Sequence, residues 1–310
     1  MGRLVDGIWH VSSVITSDSM GSYDRLPRTF LETISSSHSL YRPEANRYHL
    51  YVSYACPWAT RTLIYRQLKG LADYISVDVV HPDMGDDGWI FDDTFEGSSR
   101  DSLHGFKFLR QVYLEADPLG STSVTVPVLW DKKTGSIVNN ESSQIIRIFN
   151  SAFNDLSGNT DDFYPSSLRR EIDDLNEKIY QTVNNGVYKT GFATNQESYD
   201  EAVTSLFDTL DELDQRLTNS KYLLGDEITE ADLRLIPTLL RFDVVYFTHF
   251  KCNWKRIVDY KNLHRYMLDL YSVPAIKDTC HLDHIKRHYY FSHRGINPQR
   301  IIPKGPQKIF

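Results

Sequence analysis

Cys56 stands at a junction where a thiol can act as a nucleophile. Before it, Tyr48-His49-Leu50-Tyr51-Val52-Ser53 alternates and is rich in β-formers, which predicts a strand. After it comes Pro57, a favoured first helical residue, then Leu63, Ile64 and Leu68 at helical spacing, with Gly70 as the stop. A side chain at that helix start meets unpaired N–H groups and the positive end of the helix dipole. Both favour a thiolate, so the thiol pKa is expected below the free value of about 8.5. The bland alternative is a small buried core cysteine. Ala59 occupies the place of the second cysteine of a C-x-x-C pair. A mixed disulfide on Cys56 would therefore need a second, soluble thiol to release it.

Two further segments carry chemistry. Val126-Pro127 falls inside an apolar, β-branched run, where proline is disfavoured. A cis peptide bond would account for it and set the Val126 backbone beside a ligand; a plain edge-strand proline is the alternative. Asn140-Glu141-Ser142 opens a helix. Its N–H groups and the serine hydroxyl suit a carboxylate, and Glu141 suits an ammonium, so together they could hold both charges of an α-amino acid. A simple helix cap at Asn140 is the alternative. The tripeptide also matches an N-glycosylation acceptor, which a cytosolic chain would not use.

The elements that must position these residues follow from periodicity. The strand before Cys56, the helix after it and the β-branched run Ile75 to Val80 read as a right-handed βαβ unit with parallel strands. Residues 82–105 are rich in Gly and Asp and read as a long loop. Phe106 to Ala116 is expected to be helical. Val124 to Trp130 and Ile137-Val138 form a hairpin about the turn Asp131 to Gly135, and Glu141 to Asn150 is a helix. Residues 1–46 show weak periodicity and read as an irregular arm, 47–150 as an α/β domain, 151–165 as a linker and 166–310 as all-helical. In the last part, Val203, Leu206, Phe207, Leu210, Leu213 and Leu217 make one stripe, Thr229 to Asp232 has capping-box spacing, and Pro237 predicts a kink.

The 310 residues suffice for two domains with their own cores. With 41% hydrophobic and 24% charged residues, disordered and coiled-coil classes are excluded. A net charge of −7 argues against nucleic-acid binding. Three cysteines, Cys56, Cys252 and Cys280, are too few and too odd for a secreted disulfide framework, so a reducing compartment is expected. No apolar run reaches membrane-spanning length, and neither terminus carries a recognisable sorting signal; the cytoplasm is the default reading.

Tyr54-Ala55-Cys56-Pro57-Trp58-Ala59, Thr125-Val126-Pro127 and Asn140-Glu141-Ser142 together resemble the ligand-binding set of a cysteine-type glutathione transferase. The chain is similar in more detail to the glutathionyl-hydroquinone reductases, the omega-like xi class. The similarity runs through Val79-Val80-His81-Pro82, Gly88-Trp89, Asn184 to Ala193, Arg241-Phe242-Asp243, His249 to Asn253 and His284 to Tyr290. Thr60 departs from the histidine common there, with no catalytic role lost. The resemblance implies a thioredoxin-like N-terminal domain, an all-α C-terminal domain and a homodimer. It implies Cys56 as nucleophile, and Trp89, Arg110, Val126, Glu141 and Ser142 as the residues that bind the co-substrate glutathione. It implies Tyr188 and Tyr289 or Tyr290 at the hydroquinone.

The implied activity is glutathione-dependent reduction of S-glutathionyl-hydroquinones through a mixed disulfide. An omega-like thiol transferase or dehydroascorbate reductase is the nearest rival, and a non-catalytic module of the same fold is another. Classical conjugation is disfavoured, because a cysteine competes by forming the disulfide. Cys280, His284 and His288 recur every four residues, a spacing zinc ligands can take, but histidines beside tyrosines in a substrate-facing segment need no metal, and none is expected.

Overall fold

The computed structural model describes residues 2–11, 16–17, 23–24 and 28–307. In chain order the strands are β1 (Arg3–Val5), β2 (Ile8–His10), β3 (Thr16–Ser17), β4 (Tyr23–Asp24), β5 (Tyr48–Val52), β6 (Ser76–Val79), β7 (Thr122–Ser123), β8 (Val128–Asp131) and β9 (Ser136–Asn139). The chain divides into two compact units. One holds residues 2–11, 28–162 and 281–292; the other holds 16–17, 23–24, 163–280 and 293–307.

The first unit is built on a four-stranded sheet of order β6-β5-β8-β9. β5 lies inside it, parallel to β6 and antiparallel to β8, so all five of its residues are buried. A strand covered on both faces reads as a continuous apolar run, and Tyr48 to Val52 does so apart from His49. His49 Nδ1 lies 2.8 Å from Ser76 Oγ, and its Nε2 lies 3.2 Å from the Asp78 carboxylate. Helix α1 (Pro57–Leu68) leaves the end of β5 and returns the chain to β6, which is the expected βαβ unit. Pro57 opens it and Gly70, at φ 65°, turns the chain out. Helices α2 (Leu109–Ala116), α3 (Ser142–Ser151) and α4 (Asn154–Ser157) complete this part. α2 starts three residues later than the sequence suggests. The Gln111 side chain accepts from the backbone N–H groups of Lys107 and Phe108 and holds them outside the helix.

The irregular arm expected over 1–46 is corrected at its start. β1 and β2 form a hairpin about Asp6 and Gly7, both at positive φ, and β1 also pairs with β7. Asp-Gly is a strong hairpin signal, but strands of three residues are too short to show a period. Residues 12–15, 18–22 and 25–27 of the arm lie outside the described residues. A second correction concerns Val124 to Pro127, which precede β8 as a connection and are not in the strand.

In the second unit the described chain after 165 forms helices α5 (Arg169–Ile179), α6 (Gly186–Phe192), α7 (Gln196–Arg216), α8 (Glu230–Arg241), α9 (Phe247–His249), α10 (Lys261–Tyr271) and α11 (Pro274–Lys277). The stripe predicted on α7 is buried, and Asn195 caps that helix at Ser198 N–H. The Thr229–Asp232 capping box forms. Asp232 also accepts from Leu223 N–H and from the Tyr266 hydroxyl at 2.8 Å, and its burial pushes the carboxyl up. Pro237 stays inside a continuous α8, which passes into a wider turn at Phe242–Tyr246. The last helix, α12 (Leu282–Ser292), falls with the first unit and not with the helices that precede it in sequence.

The sheet's end is locked by an ion pair. Arg47, next to β5, forms a bidentate contact with Asp131 of β8 at 2.8 and 2.6 Å, and both are buried. Burial opposes the charge on Asp131, but Arg47, Lys133 N–H and Thr134 outweigh it and lower its pKa. Asp131→Ala is expected to cost about 1–3 kcal/mol in urea unfolding at neutral pH, because the buried Arg47 would lose its bidentate partner and keep only Glu44 at 2.7 Å and the Leu40 carbonyl at 2.9 Å. In the parent, the stabilisation from Asp131 is present above the ordinary carboxylate pKa and fades as pH falls through the lowered one.

Candidate active site

Cys56 is the N-cap of α1, in extended backbone conformation and half-buried. Its N–H donates to Ser53 O at 3.1 Å, and its carbonyl accepts from both the backbone and the hydroxyl of Thr60 at 3.0 Å. These bonds fix the backbone without using the sulfur. The side chain makes no capping bond, and Sγ–H reaches Val126 O at 3.6 Å. The thiol therefore sits at the positive end of the helix dipole, against the connection that enters β8.

That connection is held by one phenol. The Tyr113 hydroxyl of α2 donates to Thr125 O at 2.8 Å, and it accepts from Thr125 N–H at 3.3 Å and Asn140 Nδ2 at 3.2 Å. The following Val126–Pro127 peptide bond is cis. Tyr113 thus ties the segment facing Cys56 to the start of α3.

At α3 the expected cap is corrected. Glu141 is the N-cap, not Asn140, because the Asn140 amide is taken by Tyr113 and by Phe30 N–H. Glu141 Oε1 accepts from Ser143 N–H and Oγ, both at 2.9 Å, and from Ser142 Oγ at 3.4 Å. Burial opposes the charge on Glu141. The Ser143 N–H, the Arg28 charge, the Ser143 hydroxyl and the Arg61 charge outweigh it and hold the carboxyl below the ordinary value of 4.5. Arg61 itself is almost wholly buried in α1, 4.6 Å over the Trp58 ring. The site thus presents a thiol, a backbone carbonyl, a helix N-terminus with a buried serine and a carboxylate kept ionised.

Trp89 is buried on the turn after Gly85–Gly88, its carbonyl bonded to Leu109 N–H and its ring stacked on His288 of α12 at 4.7 Å. Arg110 of α2 turns its guanidinium to Asp87, at 2.6 Å from the carbonyl and 2.9 Å from the carboxylate, and covers the Phe108 ring. It shapes the turn that carries Trp89. Tyr289 and Tyr290 are both buried on α12. Tyr188 belongs to the second unit, where it lies on α6 among Tyr23, Phe192, Tyr246 and Phe250.

Burial pushes Cys252 well up and Cys280 up to about 11, so both are protonated at neutral pH. His284 Nε2 bonds Glu96 O at 2.7 Å and His288 Nδ1 bonds Pro82 O at 2.9 Å. Among the described residues, no three or more His, Cys, Asp and Glu are grouped to hold a metal ion.

Reading the sequence missed Tyr113, Arg28 and Arg61, and weighed His288 only as a metal ligand. Arg61 had a signal, a lone cation in the otherwise uncharged stretch Pro57 to Tyr65. Tyr113 had none, since its bonds reach residues 12 and 27 positions away.

Comparison with known proteins establishes the family. Residues 55–152 match the model of the glutathione S-transferase N-terminal domain, and residues 196–268 match that of its C-terminal domain. Glutathionyl-hydroquinone reductase YqjG of Escherichia coli is 51% identical over 99% of this chain and 95% of its own length. Glutathionyl-hydroquinone reductase PcpF of Sphingobium chlorophenolicum is 49% identical over 99% and 96%. Among solved structures, the glutathione-bound form of YqjG superposes with a TM-score of 0.92 at 50% identity, covering 99% of this chain and 96% of that one. The Xi transferase of Phanerochaete chrysosporium gives 0.92 at 52%, covering 94% and 95%. The chain belongs to the glutathione transferase family, among the glutathionyl-hydroquinone reductases of its Xi class.

The lowered pKa of Glu141 has a measurable consequence. A carboxyl depressed in the folded state contributes stability above its unfolded value, and that contribution fades as pH falls through the folded one. Glu141→Gln is expected to flatten urea-measured stability against pH below 4.5 relative to the parent. An unchanged acid limb would refute the assignment.

Proposed function

We propose that this chain reduces S-glutathionyl-hydroquinones to hydroquinones with glutathione, through a mixed disulfide on Cys56. The observation that carries it is the lone thiol at the α1 N-cap, 3.6 Å from Val126 O, with Ala59 where a resolving cysteine would stand. In this reading the N-terminus of α3 with Ser142 takes a glutathione carboxylate. Glu141, with Oε1 bonded to the serines, takes the ammonium through Oε2. Val126 offers backbone bonds to the peptide, and Trp89 packs on it beside Arg110. Tyr188 and one of Tyr289 and Tyr290 face the hydroquinone ring.

The substrate first tautomerises to a ketone, which makes the carbon bearing sulfur tetrahedral. The Cys56 thiolate attacks the glutathione sulfur; an S–S bond forms and the C–S bond breaks. Its electron pair passes into the adjacent carbonyl as an enolate, which is the hydroquinone oxyanion. A tyrosine hydroxyl, with an ordinary pKa of about 10, is a neutral donor suited to that oxygen. The oxygen then takes a proton. Glutathione thiolate next attacks the glutathione sulfur of the mixed disulfide, releases glutathione disulfide and returns the Cys56 thiolate. The ring carbon gains two electrons and the two glutathione sulfurs lose two. A cytoplasmic homodimer fits this chemistry, which needs a pool of reduced glutathione.

Cys56→Ser, assayed on glutathionyl-menadiol, is expected to lose turnover at least ~10³-fold and to show no glutathione adduct by intact mass. Retained turnover would overturn the mechanism. Tyr188→Phe is expected to lower kcat about 10²-fold, the size of losing one oxyanion donor. Adduct formation from glutathione disulfide, which develops no oxyanion, should keep the parental rate.

A further inference from the structure

Three consecutive residues of the loop that leads to Trp89 are gripped by one face of α12. Arg287 pairs with Asp83 in a bidentate contact at 2.6 and 2.7 Å. His288 Nδ1 bonds Pro82 O at 2.9 Å. Ser292 Oγ accepts from Met84 N–H at 3.0 Å and lies 3.3 Å from His288 Nδ1. The spacing 288 and 292 is one helical turn, so these side chains lie side by side. Five residues beyond Met84, the buried Trp89 indole lies on the His288 imidazole with centroids 4.7 Å apart and planes 22° from parallel. The carbonyl bond fixes the imidazole's tilt, and the imidazole in turn backs one face of the indole. The Trp89 backbone is held by a glycine turn with Gly88 at φ 77° and by its own carbonyl's bond to Leu109 N–H. Neither of these sets the side-chain angle.

We propose that His288 is a positioning residue for glutathione: through its stack on Trp89, backed by the grip of α12 on Pro82–Met84, it holds the indole in the orientation that binds the peptide. The inference rests on the reading of Trp89 as a glutathione-binding residue. His288 precedes Tyr289 and Tyr290, so the helix that carries candidate hydroquinone residues also braces the glutathione side. A well-fixed first contact loses little entropy on binding, and loosening it raises KM before it touches the chemical step.

The test separates the stack from the hydrogen bond. His288→Phe keeps a flat ring and loses the bond; His288→Asn keeps a donor for Pro82 O and loses the stack. Steady-state kinetics at varied glutathione should give Phe a KM within about twofold of the parent. Asn should raise KM about tenfold with kcat within twofold. In a Trp89→Leu background, which by itself should raise KM, the Asn substitution should have no further effect. Circular dichroism melts establish that each variant is folded. A parental KM for Asn, or a KM raised as much for Phe as for Asn, overturns the proposal while a raised KM in Trp89→Leu leaves the site reading intact. A parental KM in Trp89→Leu removes both.

Discussion

The position of Cys56 depends on one constraint: β5 is paired along both edges, so the point where the chain leaves the sheet cannot drift. Parallel pairing to β6 and antiparallel pairing to β8 set its register, and the buried Arg47–Asp131 pair closes one end. The first turn of α1 then begins at a set distance from the connection into β8. A one-residue slip would turn every side chain of β5 to the other face of the sheet. It would also carry the thiol away from Val126.

Polar bonds of long sequence separation finish what the sheet begins. The Tyr113 hydroxyl joins α2, the Thr125–Val126 segment and the start of α3 in one cluster, with no backbone pairing between them. Asn140 is thereby drawn off the capping position and Glu141 takes it. That exchange places the carboxylate at the helix end, near Arg61 and Arg28, where its charge is favoured despite burial. The same local rule acts twice in this unit with different outcomes. The N-terminus of α1 bears a thiol that makes no cap, and the N-terminus of α3 bears a carboxylate that does. The first suits a developing or resident negative charge on sulfur, and the second suits a zwitterion.

Local signals were legible where a short segment determined its own conformation. The strand-to-helix junction at Cys56, the proline at position 127, the capping box at Thr229–Asp232 and the stripe on α7 all follow from neighbours a few residues apart. The β1–β2 hairpin was not legible, despite its Asp-Gly turn, because three-residue strands show no period and its sheet is completed by residues 122–123. The strand assigned across Val124–Pro127 failed for a related reason: composition marks β-formers, but only a pairing partner makes a strand.

By itself the sequence determined a cysteine at a strand-to-helix junction, the absence of a second cysteine at position 59, the order of elements along the first domain and the family resemblance. These depend on residue identity and near-neighbour spacing. Tertiary structure decided the rest. It chose Glu141 over Asn140 as cap, set Arg61 and Arg28 beside the carboxylate, gave Arg110 to Asp87, and returned α12 to the first unit with His288 against Trp89. Each of those outcomes is a competition among partners dozens to hundreds of residues apart. The winner is set by which groups are buried together, and burial is a property of the folded chain, not of any window of its sequence.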